Sequence, residues 1–265
     1  MMLLPRKLDY MCLATFAFGI SENYPLIFAA NRDELHARPT AAANWWTDYP
    51  NILGGRDLLA GGTWLAIDQC GRLAAITNVP TAEGKTFKKS RGHLVTDYLA
   101  SKCSADSFIS QLQAEPEDYA PYNLLIFDDA SCHYFSNQTA GQQLVPGIYA
   151  LSNAPLGTPW PKVCFAESML ASTLATNNPV DRLFEILENK TPHHVRLGEE
   201  ELDWRQTRVF IKDEQFGTRS STVILISRTG EVQFFERCYN SDGTHTSKSD
   251  YSFNMKHPGT FEATR

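Results

Sequence analysis

Apolar and polar residues alternate along this chain with two periods, and the shorter one dominates. Arms rich in β-branched and aromatic residues flank bends of Gly, Asp, Asn or Ser, which is the pattern of β-hairpins. Residues 12–18 and 26–30 flank one bend, 63–67 and 73–77 a second, 123–127 and 132–135 a third, and 222–227 and 231–236 a fourth. One more strand is predicted at 147–152. Spacing at three and four predicts helices over 92–101, 107–114, 162–174 and 180–189, the third preceded by Pro159-Trp160-Pro161. Hairpins set between helical pairs, without strict strand–helix alternation, predict an α+β architecture of antiparallel sheets covered by helices. No Gly-, Ser- or Pro-rich linker and no repeat divides the 265 residues, which read as one domain. The polar C-terminal stretch leaves two readings open: partial disorder, or one short strand around Tyr251-Ser252-Phe253.

Composition narrows the classes. Apolar residues at 43% and charged residues at 20% are ordinary for a soluble globular protein. A formal charge of −6 gives a nucleic-acid partner no support, and the basic residues at 85–91 are broken up by polar ones, as in a solvated loop. No apolar run reaches transmembrane length. The apolar patch in the first ten residues is too short for a signal peptide, and its basic residues follow instead of preceding it. Six cysteines (12, 70, 103, 132, 164 and 238) form no C-x-x-C pair, so neither a zinc ribbon nor a thioredoxin motif is written. They are expected to be reduced thiols in the cytoplasm, five of them inert.

The sixth is Cys12. The apolar run 26–30 gives way abruptly to Asn31-Arg32-Asp33-Glu34, and polar groups at the end of a core strand cost free energy unless paired or employed. With the first bend centred near Glu22, antiparallel pairing puts Cys12 opposite Arg32, roughly 5 Å away, with Asp33 one residue on. A nearby cation is expected to lower the thiol's pKa. Met11 precedes Cys12. Initiation there, followed by loss of the methionine, would make Cys12 the first residue, and its own α-amino group could then serve as base for its thiol. Residues 1–10 would be an N-terminal extension, and 11–265 the domain.

Together with Gly61-Gly62-Thr63-Trp64-Leu65, Thr77-Asn78, Ser90-Arg91-Gly92, Tyr122-Asn123-Leu124-Leu125, Leu151-Ser152-Asn153, Pro159-Trp160-Pro161-Lys162 and Gly217-Thr218-Arg219-Ser220, these motifs resemble the NRDE family, the transport and Golgi organization protein 2 homologues, over about residues 11–240. That family is similar to the N-terminal nucleophile hydrolases of the choloylglycine hydrolase and penicillin V acylase branch. The resemblance implies a four-layer αββα sandwich, two antiparallel sheets between helical layers. It also implies catalytic roles for Cys12, Arg32, Asp33, Asn78, Asn153 and Arg219, although the arginine–aspartate spacing is tighter here than in the hydrolases. An asparagine amide aimed at a developing oxyanion contributes a few kcal/mol to lowering the barrier.

Each residue also has a plainer reading. Arg32 and Asp33 would serve as an ion pair closing a hairpin, Glu34 as a solvated or capping carboxylate, and Asn78 and Asn153 as turn residues. The tryptophans would be packing, His36 a surface histidine, and His193-His194 a loop pair instead of a metal site. Gly54-Gly55 and Gly61-Gly62 do not fit the phosphate-loop pattern. Two functional classes follow: an amidohydrolase cutting a small acylated amine through an acyl-thioester at Cys12, without cofactor or metal, or a non-enzymatic trafficking factor carrying haem or lipid. No haem motif is written, since Cys-Pro and C-x-x-C-H are both absent.

Overall fold

The first hairpin has the predicted register. In the computed structural model, which describes residues 12–81, 85–128, 131–174, 179–193 and 203–256, strand β1 (Leu13–Phe18) pairs antiparallel with β2 (Leu26–Leu35), from Leu13 opposite Asn31 to Phe18 opposite Leu26. The hairpin is therefore centred at residue 22. Asn31-Arg32-Asp33-Glu34 does not end β2, however. The strand runs on through it because its other edge is still paired.

The chain continues through β3 (Thr40–Trp45), β4 (Ile52–Asp57), β5 (Leu65–Asp68) and β6 (Leu73–Asn78), then α1 (Gly92–Ala100) and α2 (Ala105–Ala114). It goes on to β7 (Tyr122–Asp128), β8 (Ser131–Ser136), β9 (Gln142–Gln143) and β10 (Gly147–Leu151), then α3 (Pro161–Thr173), α4 (Pro179–Leu187) and the single turn α5 (Trp204–Thr207). It closes with β11 (Phe216–Ile226), β12 (Glu231–Tyr239) and β13 (His245–Asn254). One sheet has the order β10-β1-β2-β11-β12-β13 and the other runs from β3 to β9 in sequence.

Strand alternation builds the layers. Ala14, Phe16, Phe18 and Phe28 face the second sheet and meet Leu65, Leu73, Leu125 and Phe127. Phe127 lies edge-on to Phe16, with ring centroids 5.2 Å apart, and to Phe28 at 5.7 Å. Leu13, Ala17, Ile27 and Ala29 face the other way, onto Val163, Ala166 and Leu170 of α3 and Leu183 and Phe184 of α4. On the far side, Ala66, Ala74, Ile76 and Leu124 of the second sheet pack under Leu94, Val95, Tyr98 and Phe108 of α1 and α2. This is a four-layer αββα sandwich. Each fully buried aromatic or aliphatic side chain contributes about 1.5–3 kcal/mol, and strands buried on both faces read as the unbroken apolar runs seen in the sequence.

Two features depart from the sequence reading. Strands β3 and β4 were not predicted: a Cβ on Gly55 would fall 2.4 Å from the Trp64 ring, so the glycine is there to let the tryptophan approach. And β13 extends over His245–Asn254 instead of the few residues around Tyr251.

Candidate active site

Beyond the start of β1, β2 keeps its other neighbour. Its Leu26–Leu35 pairs with β11 as far as Leu35 opposite Phe216, and the register slips between Thr218 and Ser220, leaving Arg219 in a bulge. Successive strand residues point to opposite faces, so the polar tetrad divides. Arg32 and Glu34 face the space between the sheets, and Asn31 and Asp33 face the α3–α4 layer.

Asn31 is bound on all sides. Its amide donates to the carbonyls of Leu187 (2.8 Å) and Val209 (3.0 Å), and its oxygen accepts from the Ser221 hydroxyl (2.6 Å). These bonds tie β2 to the end of α4 and to β11.

Between the sheets lies a cavity of about 150 Å³ whose walls include Cys12, Arg32, Glu34, Trp64, Asn78 and Arg91. The Arg32 guanidinium stacks 4.3 Å from the Trp64 ring and donates to the Thr40 hydroxyl at 3.1 Å. Glu34, read from sequence as solvated or capping, is in fact buried. Its Oε2 is 3.5 Å from both Arg32 and Arg38, and its Oε1 accepts from the Leu35 amide. Arg38 in turn holds Asp57 at 2.7 Å.

Cys12 precedes β1, with its Sγ 3.9 Å from the Asp33 carbonyl. Its thiol is pushed up to about 12, chiefly by burial and then by the Asp33 charge. Arg32 pulls it down, as expected, but not enough: the expectation of a lowered thiol pKa is overturned for the chain with Cys12 internal.

Asp33 accepts from the Thr218 hydroxyl at 2.7 Å, while its Oδ2 is buried with no hydrogen-bond partner. Burial raises it to about 7 against the pull of Lys162, Thr218 and Arg32. Lys162, in the first turn of α3, is fully buried, and its Nζ has no hydrogen-bond partner. Sequence reasoning had placed it only within a motif. A lysine directly after a helix-opening Pro-Trp-Pro stretch is unremarkable on paper, and only its burial singles it out.

The remaining candidates separate. Asn78 lines the cavity. Asn153, 1% exposed, donates to the Asn78 carbonyl at 2.6 Å, so it fixes the end of β6. Its neighbour Ser152 donates to the Cys12 carbonyl at 2.6 Å, and the Ser152 carbonyl accepts from Thr77 at 2.7 Å. Arg219 lines a second cavity of about 160 Å³ with Thr40, Ser220, Glu236 and Cys238. Its Nη1 donates to the carbonyls of Leu35 (2.8 Å) and His36 (3.0 Å). Trp64 borders both cavities, so the Arg32–Trp64 stack stands between them. His36 lies 3.1 Å from the Asp213 carbonyl. His193 stacks on Phe165, and His194 lies outside the described residues.

Among the described residues, no group of three or more His, Cys, Asp or Glu side chains is placed to hold a metal ion, and no helix is long and apolar enough to cross a membrane.

The layers and the strand order define the fold of the N-terminal nucleophile hydrolases. A Caenorhabditis elegans N-acylethanolamine-hydrolyzing acid amidase ortholog shares it with a TM-score of 0.52 at 11% identity, over 81% of this chain and 92% of that one. At that identity the likeness is one of fold. Within that fold, the chain belongs to the Transport and Golgi organisation 2 family, whose model matches residues 11–241. The mouse and human Transport and Golgi organization 2 homologs are each 32% identical to it over 276 residues, covering 93% of this chain and all of theirs. The Drosophila melanogaster Transport and Golgi organization protein 2 is 24% identical over 249 residues, covering 80% and 86%.

Proposed function

We propose that the chain is an amidohydrolase for small N-acyl amides, with Cys12 as its nucleophile once residues 1–11 are removed. The observation that carries this reading is the place of Cys12, immediately ahead of β1 and on the wall of a polar cavity shared with Arg32 and Asn78. A chain beginning there brings thiol and α-amine to the same space. The fold shared with an amidase and the family match from Met11 support it.

The neutral amine takes the thiol proton, and the sulfur attacks the amide carbonyl while Asn78 and Arg32 face the developing oxyanion. The C–N bond breaks, and the leaving amine takes the proton from the ammonium. Water, deprotonated by the same amine, then adds to the thioester. The C–S bond breaks and the thiol recovers its proton. The net change is amide plus water to acid plus amine. A cavity of about 150 Å³ favours short, polar acyl groups over long chains.

With residue 11 attached, the Cys12 nitrogen is an amide and cannot act as base, so the full-length chain should fold but stay inert. The test expresses the full chain and one starting at Met11, verifies both N-termini by intact mass, and assays both on a panel of short-chain N-acyl amides. Turnover by the chain with Cys12 first, and not by the full-length one, is expected. Equal activity in both would remove the amine from the mechanism. Inertness of both, with haem or lipid binding by each, would replace the hydrolase with the carrier.

A further inference from the structure

Cys12 lies outside every strand. The β1 ladder opens at Leu13 opposite Asn31, so no strand pairing holds the residue that carries the proposed chemistry. Once residues 1–11 are gone it would also be a free chain end, and free ends fray. Its carbonyl is held by the Ser152 hydroxyl at 2.6 Å. Ser152 follows β10 of the first sheet, and its own support comes from the second. The Thr77 hydroxyl donates to the Ser152 carbonyl at 2.7 Å. Asn123 is directly opposite Thr77 in the β6–β7 pair. Its amide nitrogen donates to the Thr77 hydroxyl at 3.0 Å and to the carbonyls of Ala154 at 2.9 Å and Ser152 at 3.3 Å. The Tyr134 hydroxyl accepts from the Leu156 amide and donates to Asn123 Oδ1 at 2.9 Å, which settles which end of the amide faces residues 152–154. Every side chain in this series of bonds is buried, Asn123 completely.

Resting on the hydrolase reading of Cys12, we infer that Asn123 is a positioning residue which, through Thr77 and residues 152–154, sets the separation of Cys12 and Asn78 across the cavity. One short segment holds both. Ser152 binds the Cys12 carbonyl, and Asn153 donates to the Asn78 carbonyl at 2.6 Å. Cys12 belongs to the first sheet's end of the cavity and Asn78 to the second's, and both line it. Asn123 grips that segment from the second sheet, so its bonds cross the gap that separates nucleophile from oxyanion donor. The residue type follows from the task. Two buried carbonyls and a hydroxyl need donors, Tyr134 needs an acceptor, and a carboxamide supplies both without a charge. The same fact gives the Tyr122-Asn123-Leu124-Leu125 motif its meaning, because the other three residues are buried packing of β7 and only Asn123 is polar. A shift of about 1 Å between reacting groups can cost about a hundredfold in rate.

Three variants test this. Asn123→Asp keeps the shape and the oxygen that Tyr134 binds but loses the NH2 group. Thr77→Val keeps the branched shape and removes the hydroxyl that joins Asn123 to Ser152, whereas Thr77→Ser keeps the hydroxyl and removes a methyl. In the chain beginning at Cys12, Asn123→Asp and Thr77→Val should each lower kcat for short N-acyl amides about tenfold or more, with KM little changed. Thr77→Ser should keep the wild-type kcat despite its own loss of stability. In the full-length chain the readout needs no turnover: timed labelling of Cys12 by a small disulfide, scored against Cys70. Labelling should quicken in Asn123→Asp and Thr77→Val, since a Cys12 released from Ser152 is less buried, and not in Thr77→Ser. If Asn123→Asp fails to fold, the two Thr77 variants decide alone. A lowered urea midpoint with kcat and labelling unmoved would overturn the inference and leave Asn123 structural, as would Thr77→Ser behaving like Thr77→Val. Labelling that moves as expected, in chains that hydrolyse none of the amides, would sink the hydrolase and keep the hold of Asn123 on Cys12.

Discussion

With residue 11 joined to it, Cys12 should be a slow thiol, and the structure sets how slow. Burial and the Asp33 charge carry it from 9.0 to about 12. A rise of about three units cuts the thiolate fraction at neutral pH about a thousandfold. The thiolate that does form is the better nucleophile: with a Brønsted slope of about 0.4–0.5, about 1.2–1.5 of the three log units return. The net expectation is a reaction with a small disulfide about 30–60-fold slower than that of an ordinary thiol. Restricted access adds to the delay. Exposed Cys70 in the same chain is the internal standard.

The assay is a timed exposure of the full-length protein to a small alkyl disulfide near pH 7.5, acid quench, and quantification of the peptides carrying Cys12 and Cys70. Two variants test the cause. Asp33→Asn removes the charge that raises the thiol and should speed Cys12. Arg32→Gln removes the charge that lowers it and should slow Cys12 further. Wild-type Cys12 labelling as fast as Cys70 would refute the reasoning, as would variants that both move the rate the same way.

Asn31→Ala strips three hydrogen bonds and leaves the Leu187 and Val209 carbonyls buried without a partner; a loss of about 3 kcal/mol is expected from the urea midpoint. Gly55→Ala drives a methyl into Trp64, and overpacking of about 1–3 kcal/mol is expected, with Cys12 reactivity changing because Trp64 supports Arg32. Asp33 titrates at about 7 in the fold against 3.8 for an ordinary aspartate, so the folded state holds its proton longer than the unfolded one. Its contribution to stability is present below about pH 4 and is lost as the pH rises to about 7. Urea titrations should therefore show wild type losing ground to Asp33→Asn across that window and levelling above it. Parallel profiles would remove the raised carboxyl from the account.

What the sequence displayed was whatever hydrophobic alternation could carry. The hairpin of β1 and β2 emerged in register because both arms are apolar on both faces and the bend is rich in turn formers. The four long helices emerged because each presents a stripe to one sheet. Strand β4 did not, since Ile52-Leu53-Gly54-Gly55-Arg56-Asp57 carries two glycines that usually signal a loop, and their purpose is visible only when Trp64 is in place. Strand β13 emerged only in part because an edge strand protects itself with Lys, Ser and Asp instead of a buried face. Cys12, Arg32 and Asp33 could be grouped by counting residues across a hairpin. Lys162 could not, because its burial depends on where α3 docks.

The spacing of Arg32 and Asp33 has a consequence that the count across the hairpin conceals. Adjacent residues of a strand face opposite ways, so a guanidinium and a carboxylate written side by side act on the same thiol from different faces of β2. Arg32 stays with the cavity, Trp64 and Glu34; Asp33 goes to the helix layer, Thr218 and Lys162. The backbone of Cys12, opposite Arg32 across the hairpin, lies between the two groups. Its thiol lies on the cavity wall, within reach of both charges. The two charges therefore pull the same sulfur in opposite directions, Asp33 raising the thiol and Arg32 lowering it. It follows that loss of Arg32 and loss of Asp33 should not mimic each other: the first should slow the thiol and the second should speed it, and labelling of both variants beside Cys70 checks the signs.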